Sequence, residues 1–157
     1  MLLRLRQLFA RLQDILQVGL DNIHDPAIRT QLLVGIRWTV EATKKASLLT
    51  RPGSREELEA VQAVLDSFFN YIVLFSQVDQ ESYLRDGEDE FHDGEKWVNR
   101  LQTLVVPRDK GAALYFQFKL HDMAATLHKQ RRDVPRMLVE LEKAANVWMR
   151  MHQVRPD

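Results

Sequence analysis

The sequence predicts an all-α fold, a single-domain helical bundle of about five or six helices over residues 1–157. Apolar residues recur at spacings of three and four along nearly the whole chain, which is the period of an amphipathic helix. No alternating run rich in Val, Ile or Thr and bounded by turns occurs, so no strands are expected. The length suits one domain, and the composition is 45% hydrophobic and 28% charged. We therefore expect one core formed by packed helices.

The first two helices are predicted from an apolar stripe and an N-terminal cap. Leucine, isoleucine and phenylalanine side chains form a stripe over about residues 2–22, which predicts an amphipathic helix there. Asp25 is a suitable N-cap for a second helix, and Pro26 fits the first helical position because no backbone NH is needed there. This second helix is expected to stop at the sequence TRPGS, residues 50–54.

The third helix has the clearest predicted start. Ser54 and Glu57 form an S-x-x-E capping box, in which each side chain accepts a hydrogen bond from the other residue's backbone NH. The helix then becomes apolar on all sides, so it is either central in the bundle or covered by a partner. We assign its aromatic side chains to partner binding: Phe68, Phe69, Tyr71 and Phe75.

Residues 79–95 are predicted to form an exposed, mobile acidic loop. Eight of these seventeen residues are Asp or Glu, and carboxylates at this density repel one another. Gly87 and Gly94 each directly follow an aspartate, and such Asp-Gly steps are typical of turns. A glycine inside a helix also costs about 1 kcal/mol relative to alanine. The segment RDGEDEFHDGE, residues 85–95, therefore favours a loop over a helix.

Two kinds of site are alternatives within this segment. Glu88, His92 and Glu95 are spaced i, i+4, i+7, so on a helix they would share one face as a metal-ligand set, but the predicted loop disfavours it and no cofactor is expected. Arg85 and His92 stand as R-x6-H, with the polar Asp86 after the arginine. This pattern resembles the R-x4-6-H motif of HEPN ribonucleases, which are small all-α proteins. The resemblance implies metal-independent RNA cleavage at a dimer interface, with Arg85 and His92 as the catalytic residues.

The remaining chain predicts three helices separated by proline breaks. A short helix begins near residue 95 and ends before Pro107, and Asp109 can cap the next helix, over about residues 110–131. Asp133 and Pro135 mark a break and a new start. The last helix carries apolar residues at spacings of three and four that are expected to face the core: Met137, Leu138, Leu141, Ala144, Ala145, Trp148 and Met151.

A basic turn before the last helix is the candidate site for phosphate or nucleic acid. Its cations are Lys129, Arg131, Arg132 and Arg136. Guanidinium groups bind phosphate through paired hydrogen bonds, and helix N-termini favour anions. The alternative is a solvated turn whose cations complement a helix C-terminus. His121 and His128, two turns apart on the preceding helix, are expected at the core edge or on the surface, because no E-x-x-H or H-E-x-x-H sequence accompanies them.

Charge and the absence of catalytic motifs determine the predicted function. The formal net charge is zero, but residues 1–55, 56–99 and 100–157 carry +5, −10 and +5. This layout is typical of a protein that meets differently charged partners or its own copies, unless folding interleaves the segments. The chain has no cysteine, no Gly-rich phosphate loop and no G-x-S-x-G nucleophile motif, so an enzyme is not favoured.

We therefore predict a soluble, cytoplasmic, non-enzymatic helical scaffold or adaptor subunit that docks on a protein partner or forms a homo-oligomer. Contact with a nucleic-acid backbone through the basic turn is a further prediction, and a HEPN-like ribonuclease is the alternative. No membrane span is predicted, because the longest apolar run, residues 67–78, is shorter than the roughly 20 residues that a spanning helix needs.

Overall fold

The computed structural model describes residues 24–154, together with positions 3, 4, 7, 10, 11 and 14. These residues form five α-helices and no strand, which confirms the predicted all-α helical bundle. The helices are α1 (Pro26–Leu48), α2 (Arg55–Val78), α3 (Gln80–Leu104), α4 (Lys110–Gln130) and α5 (Val134–Val154), with a 3-10 helix at Pro107–Asp109. The predicted first helix, about residues 2–22, lies largely outside the described residues.

The helices group into two compact units, residues 1–80 and 81–157, and each is described by itself. The prediction of a single domain stays a prediction. In the first unit α1 packs on α2. The hydroxyls of Thr43 and Ser67 lie 3.3 Å apart in this buried contact. The Arg37 guanidinium lies 5.0 Å from the centroid of the Tyr71 ring, a cation–π contact between the two helices.

The predicted helix starts in the first unit are confirmed, with one change of partner. Asp25 accepts a hydrogen bond from the backbone NH of Ala27 at 2.9 Å, and Ser54 Oγ accepts one from the NH of Glu57 at 3.2 Å. In a capping box the Glu57 side chain would accept a hydrogen bond from the backbone NH of Ser54. Here Glu57 Oε1 instead accepts one from the backbone NH of Gly53 at 2.8 Å. The Ser54 NH instead donates to the carbonyl of Arg51, which closes the preceding turn.

The aromatic side chains of α2 lie in the core of the protein. Phe68, Phe69, Tyr71 and Phe75 are only 2%, 2%, 6% and 7% exposed. A partner could not reach these buried side chains in this structure, so their assignment to partner binding gains no support from it. α2 is long and apolar enough to cross a membrane by length and composition, but 61% of its apolar stretch is buried, as in the core helix of a soluble protein.

The prediction of an exposed acidic loop at residues 79–95 is wrong, because nearly all of this segment lies in helix α3. Residues 80–104 form one continuous helix, and both Gly87 and Gly94 are buried in it. A Cβ at Gly87 would lie only 3.0 Å from Leu127 Cδ2 of α4. The glycine therefore marks a close approach of two helices rather than a loop, and side-chain burial outweighs its low helix propensity.

The second unit is built from α3, α4 and α5, and α4 packs extensively on α5. α4 ends in a turn in which the NH of Asp133 donates to the carbonyl of His128 at 2.9 Å and Arg132 takes a left-handed conformation, with φ 59°. Asp133 then caps α5 as predicted, since its Oδ1 accepts from the NH of Arg136 at 3.3 Å. Asp109 occupies the predicted cap position of α4, but its side chain makes no cap hydrogen bond.

Candidate functional site

A narrow cleft in the second unit brings together polar side chains from α3, α4 and α5. Its volume is about 60 Å³, and its walls carry three histidines and three glutamates. The lining residues are Glu88, Phe91, His92, Glu95, Leu120, His121, Ala124, His128, Glu140 and Lys143. The helical course of α3 makes this possible, because residues spaced i, i+4, i+7 share one face of a helix.

The alternative metal set Glu88, His92 and Glu95 thus lines the cleft, as its spacing requires of a helix. The three side chains do not converge on one point, however. Among the described residues, no group of three or more His, Asp or Glu side chains is arranged to hold a metal ion. Glu88 is engaged elsewhere, while His92 and Glu95 are exposed at the mouth of the cleft.

His121 is held in one orientation by a carboxylate. It is only 6% exposed, and its Nδ1 lies 2.7 Å from Oε2 of Glu140 on α5. This hydrogen bond lowers the pKa of Glu140, which burial alone would raise, and the charge of Lys143 lowers it further. Because the carboxylate accepts the bond, Nδ1 of the neutral imidazole carries the proton and Nε2 keeps its lone pair.

His128 is buried with a polar atom unsatisfied. The residue is 4% exposed, and its Nδ1 has no hydrogen-bond partner. Leaving a buried polar group without a partner costs about 1–3 kcal/mol, so such an atom calls for an explanation. Both α4 histidines lie deeper than the predicted core edge or surface. Their i, i+7 spacing was visible in the sequence, but their burial depends on α3 and α5, which no local pattern reveals.

The basic turn is partly neutralised by the acidic segment. Glu88 Oε2 lies 2.9 Å from Nη1 of Arg131 and 2.9 Å from Nη1 of Arg136. Two of the four predicted phosphate-binding cations therefore already bind a carboxylate of the same chain. The other two are Lys129, in the last turn of α4, and Arg132, the left-handed residue.

The two residues of the ribonuclease alternative lie on one helix, two turns apart. Arg85 makes a bidentate contact with Asp86, with Nη2 to Oδ2 at 3.0 Å and Nε to Oδ1 at 3.1 Å. His92 lines the cleft, whereas Arg85 does not. The structure therefore does not bring Arg85 and His92 together in one pocket.

A row of exposed apolar side chains on α5 is the feature that the sequence interpretation misassigned. Val134, Leu138, Leu141 and Trp148 are 54%, 56%, 42% and 50% exposed. The last three belong to the apolar spacing that was expected to face the core. Ala144 and Val147 on another face of α5 are buried instead. Together with the exposed Ala145, these four residues are called the α5 stripe below.

No protein-family model, curated protein or solved structure matches this chain.

Proposed function

We propose that this protein is a non-enzymatic helical docking subunit that assembles through the α5 stripe. The observation that carries the proposal is the exposure of four large apolar side chains in a row on one helix. Single exposed apolar residues are ordinary on a protein surface, but a contiguous apolar row indicates an interaction site. The α5 stripe takes the place of the aromatic side chains of α2 as the proposed partner-binding surface, because those side chains are buried.

The spacing of the stripe indicates a helix as the docking partner. Residues 134, 138, 141, 145 and 148 are separated by four, three, four and three positions, which is the heptad spacing of a coiled-coil seam. Such a seam places each side chain between four side chains of a facing helix. None of the five residues is charged, so a facing apolar stripe can cover them without burying an ion.

A second copy of this chain is the partner that the stripe itself supplies. With His152 as its next member, the spacing becomes four, three, four, three, four, which is the same in both directions. Two copies can therefore pair antiparallel about a two-fold axis. In this register Leu138 faces Trp148, and Leu141 faces the small Ala145, so large side chains meet small ones at the centre.

The energy of such a contact supports a dimer of moderate affinity. Full burial of one large apolar side chain contributes about 1.5–3 kcal/mol, so completing the burial of four half-exposed side chains offers roughly 3–6 kcal/mol per copy. Association costs about 4–15 kcal/mol. The two copies together therefore gain roughly 6–12 kcal/mol, of which at most about 8 kcal/mol remains after this cost, so we expect a dissociation constant of about micromolar size or weaker.

The oligomeric state tests the proposal. Sedimentation or light scattering from about 1 µM to a few hundred µM should show a monomer–dimer equilibrium for the wild type. Leu138→Glu and Leu141→Glu should each give a monomer that keeps the wild-type circular dichroism. Val139→Glu is the matched control, because Val139 is also an exposed apolar residue of α5, at 51%, but lies outside the stripe. A wild type that stays monomeric at all concentrations, or dimers that survive both stripe variants, would contradict the proposal.

The ribonuclease alternative gains no comparable support. Arg85 is occupied by Asp86, and the face of α3 that carries His92 also carries Glu88 and Glu95. Carboxylates at these positions repel the phosphate backbone that a ribonuclease must hold.

A further inference from the structure

The second unit contains a larger cavity, apart from the histidine cleft, at the end where α4 begins and α5 ends. Its volume is about 330 Å³. α4 and α5 are joined by a short turn and pack on each other, so they run antiparallel, and the first turn of α4 lies beside the last turns of α5. The end of α3 completes the wall. None of the residues of the α5 stripe lines this cavity, so the inference below is independent of the proposed docking function.

Two cationic side chains line this cavity, and among the described residues no carboxylate does. Lys110 comes from the first turn of α4 and Arg150 from α5. Within the described part of the chain neither of them forms an ion pair, whereas Arg131 and Arg136 of the basic turn share Glu88. Like charges that line one cavity repel each other, so an anion bound between them is favourable.

The rest of the lining suits an organic group rather than a bare ion. Val105 and the buried Ala113 and Leu114 give the cavity an apolar wall. Gln102 donates a hydrogen bond from Nε2 to Oε1 of Gln117 at 2.7 Å, which fixes its amide and leaves its own Oε1 to accept a bond from a ligand. Cavities that are mostly apolar, carry a few polar groups and measure about 300–1,000 Å³ are typical of small-molecule sites.

We infer that this cavity binds a nucleoside monophosphate. Its phosphate carries a charge of about −1.5 to −2 at pH 7, which matches the two cations: Arg150 can hold it through paired hydrogen bonds and Lys110 as a point charge. The base packs on the apolar wall, and one of its NH groups donates to Oε1 of Gln102. Inorganic phosphate would leave the apolar wall uncovered, and a nucleoside without phosphate would leave both cations unpaired, so both parts of the ligand contribute to binding.

Calorimetric titration of the full chain with adenosine monophosphate at low salt tests the inference. We expect one site per chain with a dissociation constant of about 10 µM to 1 mM. Adenosine, which lacks the phosphate, and inorganic phosphate, which lacks the base, should each bind at least about tenfold more weakly. Absence of binding with the nucleotide at about 10 mM, or binding of adenosine or of inorganic phosphate as tight as that of the nucleotide, would overturn the inference.

Charge-removing variants locate the site. Lys110 and Arg150 are exposed, so Lys110→Gln and Arg150→Gln should keep the wild-type circular dichroism. Each should weaken binding of adenosine monophosphate by about tenfold, since each removes a charged hydrogen-bond donor to the phosphate. Lys129→Gln is the matched control, because Lys129 is also an exposed lysine of α4 but does not line the cavity. Binding that both cavity variants leave unchanged, or an equal loss with Lys129→Gln, would contradict a site in this cavity.

Discussion

At the scale of single residues, Arg132 carries a backbone conformation that an arginine adopts at a cost. Its φ of 59° lies in the left-handed region, at the residue that follows the C-cap of α4. Glycine is the usual residue there, because a Cβ costs roughly 1–2 kcal/mol in this conformation. The turn keeps its shape because the NH of Asp133 donates to the carbonyl of His128.

Arg132→Gly should therefore raise the free energy of unfolding by about 0.5–1 kcal/mol, the relief of strain less the greater backbone entropy of glycine in the unfolded chain. Chemical denaturation monitored by circular dichroism measures the change. Lys129→Gly, three residues earlier and inside α4, should instead lower the free energy of unfolding by about 1 kcal/mol. Equal effects of the two variants would show that the left-handed conformation does not decide the outcome.

Residue-scale features were predictable from the sequence where their cause is local. Asp25, Ser54 and Asp133 were predicted as caps and act as caps, because a capping side chain bonds to an NH two or three residues away. The hydrogen-bond donor to the Glu57 carboxylate was predicted one residue too late, as the NH of Ser54 and not that of Gly53. Gly53 has a positive φ of 77°, and the turn it forms presents its own NH to the carboxylate in place of that of Ser54.

At the scale of elements, α3 shows how a glycine can support a helix that its propensity opposes. Gly87→Ala would gain about 1 kcal/mol of helix propensity. The added Cβ would lie 3.0 Å from Leu127 Cδ2 and 3.1 Å from the Tyr83 ring, and both side chains are almost fully buried. Neither neighbour can move into solvent, so we expect overpacking, which typically costs 1–3 kcal/mol, to win, by about 1 kcal/mol in net destabilisation.

Gly35→Ala is the matched control for this prediction. Gly35 is also inside a helix, α1, but a Cβ there would meet nothing within 4 Å. The substitution should stabilise the protein by about 0.5–1 kcal/mol through propensity alone. Thermal or urea unfolding of both variants should give changes of opposite sign; a stabilised Gly87→Ala variant would mean that α3 and α4 are not closely packed at this point.

The element-scale errors have one physical origin. The periodicity of apolar residues predicted the helical class, and the cap residues predicted the starts of α1, α2 and α5, because both are properties of each segment alone. The acidic segment was predicted as a loop because Gly87 and eight neighbouring carboxylates each disfavour a helix when the segment is considered alone. Contacts with Leu127, Arg131 and Arg136 of other segments supply the compensation. The cleft could not be predicted from the sequence for the same reason, because the face of α5 that is buried depends on the packing of α3 and α4.

At the scale of the whole molecule, the uneven charge along the sequence disappears on folding. Residues 1–80 contain nine basic and nine acidic side chains, and residues 81–157 contain thirteen of each. Each compact unit is therefore formally neutral. The contact of Glu88 with Arg131 and Arg136 shows how segments of opposite sign meet in the second unit. A polarity of +5, −10 and +5 is thus a property of the sequence order and not of the units.

Because each unit is formally neutral, we expect weak binding of nucleic acid, and we expect Glu88 to limit the binding that the basic turn can still provide. The wild type should show little binding to labelled single-stranded RNA at physiological salt in fluorescence anisotropy, because few phosphates are neutralised. Glu88→Gln removes the carboxylate that Arg131 and Arg136 share, while Asp133 still pairs with Arg136 at 3.4 Å. One or two added phosphate contacts should therefore steepen the dependence of log affinity on log salt by about 0.7–1.4. Glu142→Gln removes the same charge from an exposed glutamate of α5 that does not contact the basic turn, and should leave binding at the wild-type level. If Glu88→Gln and Glu142→Gln bind RNA equally, net charge and not the release of the two arginines governs the interaction.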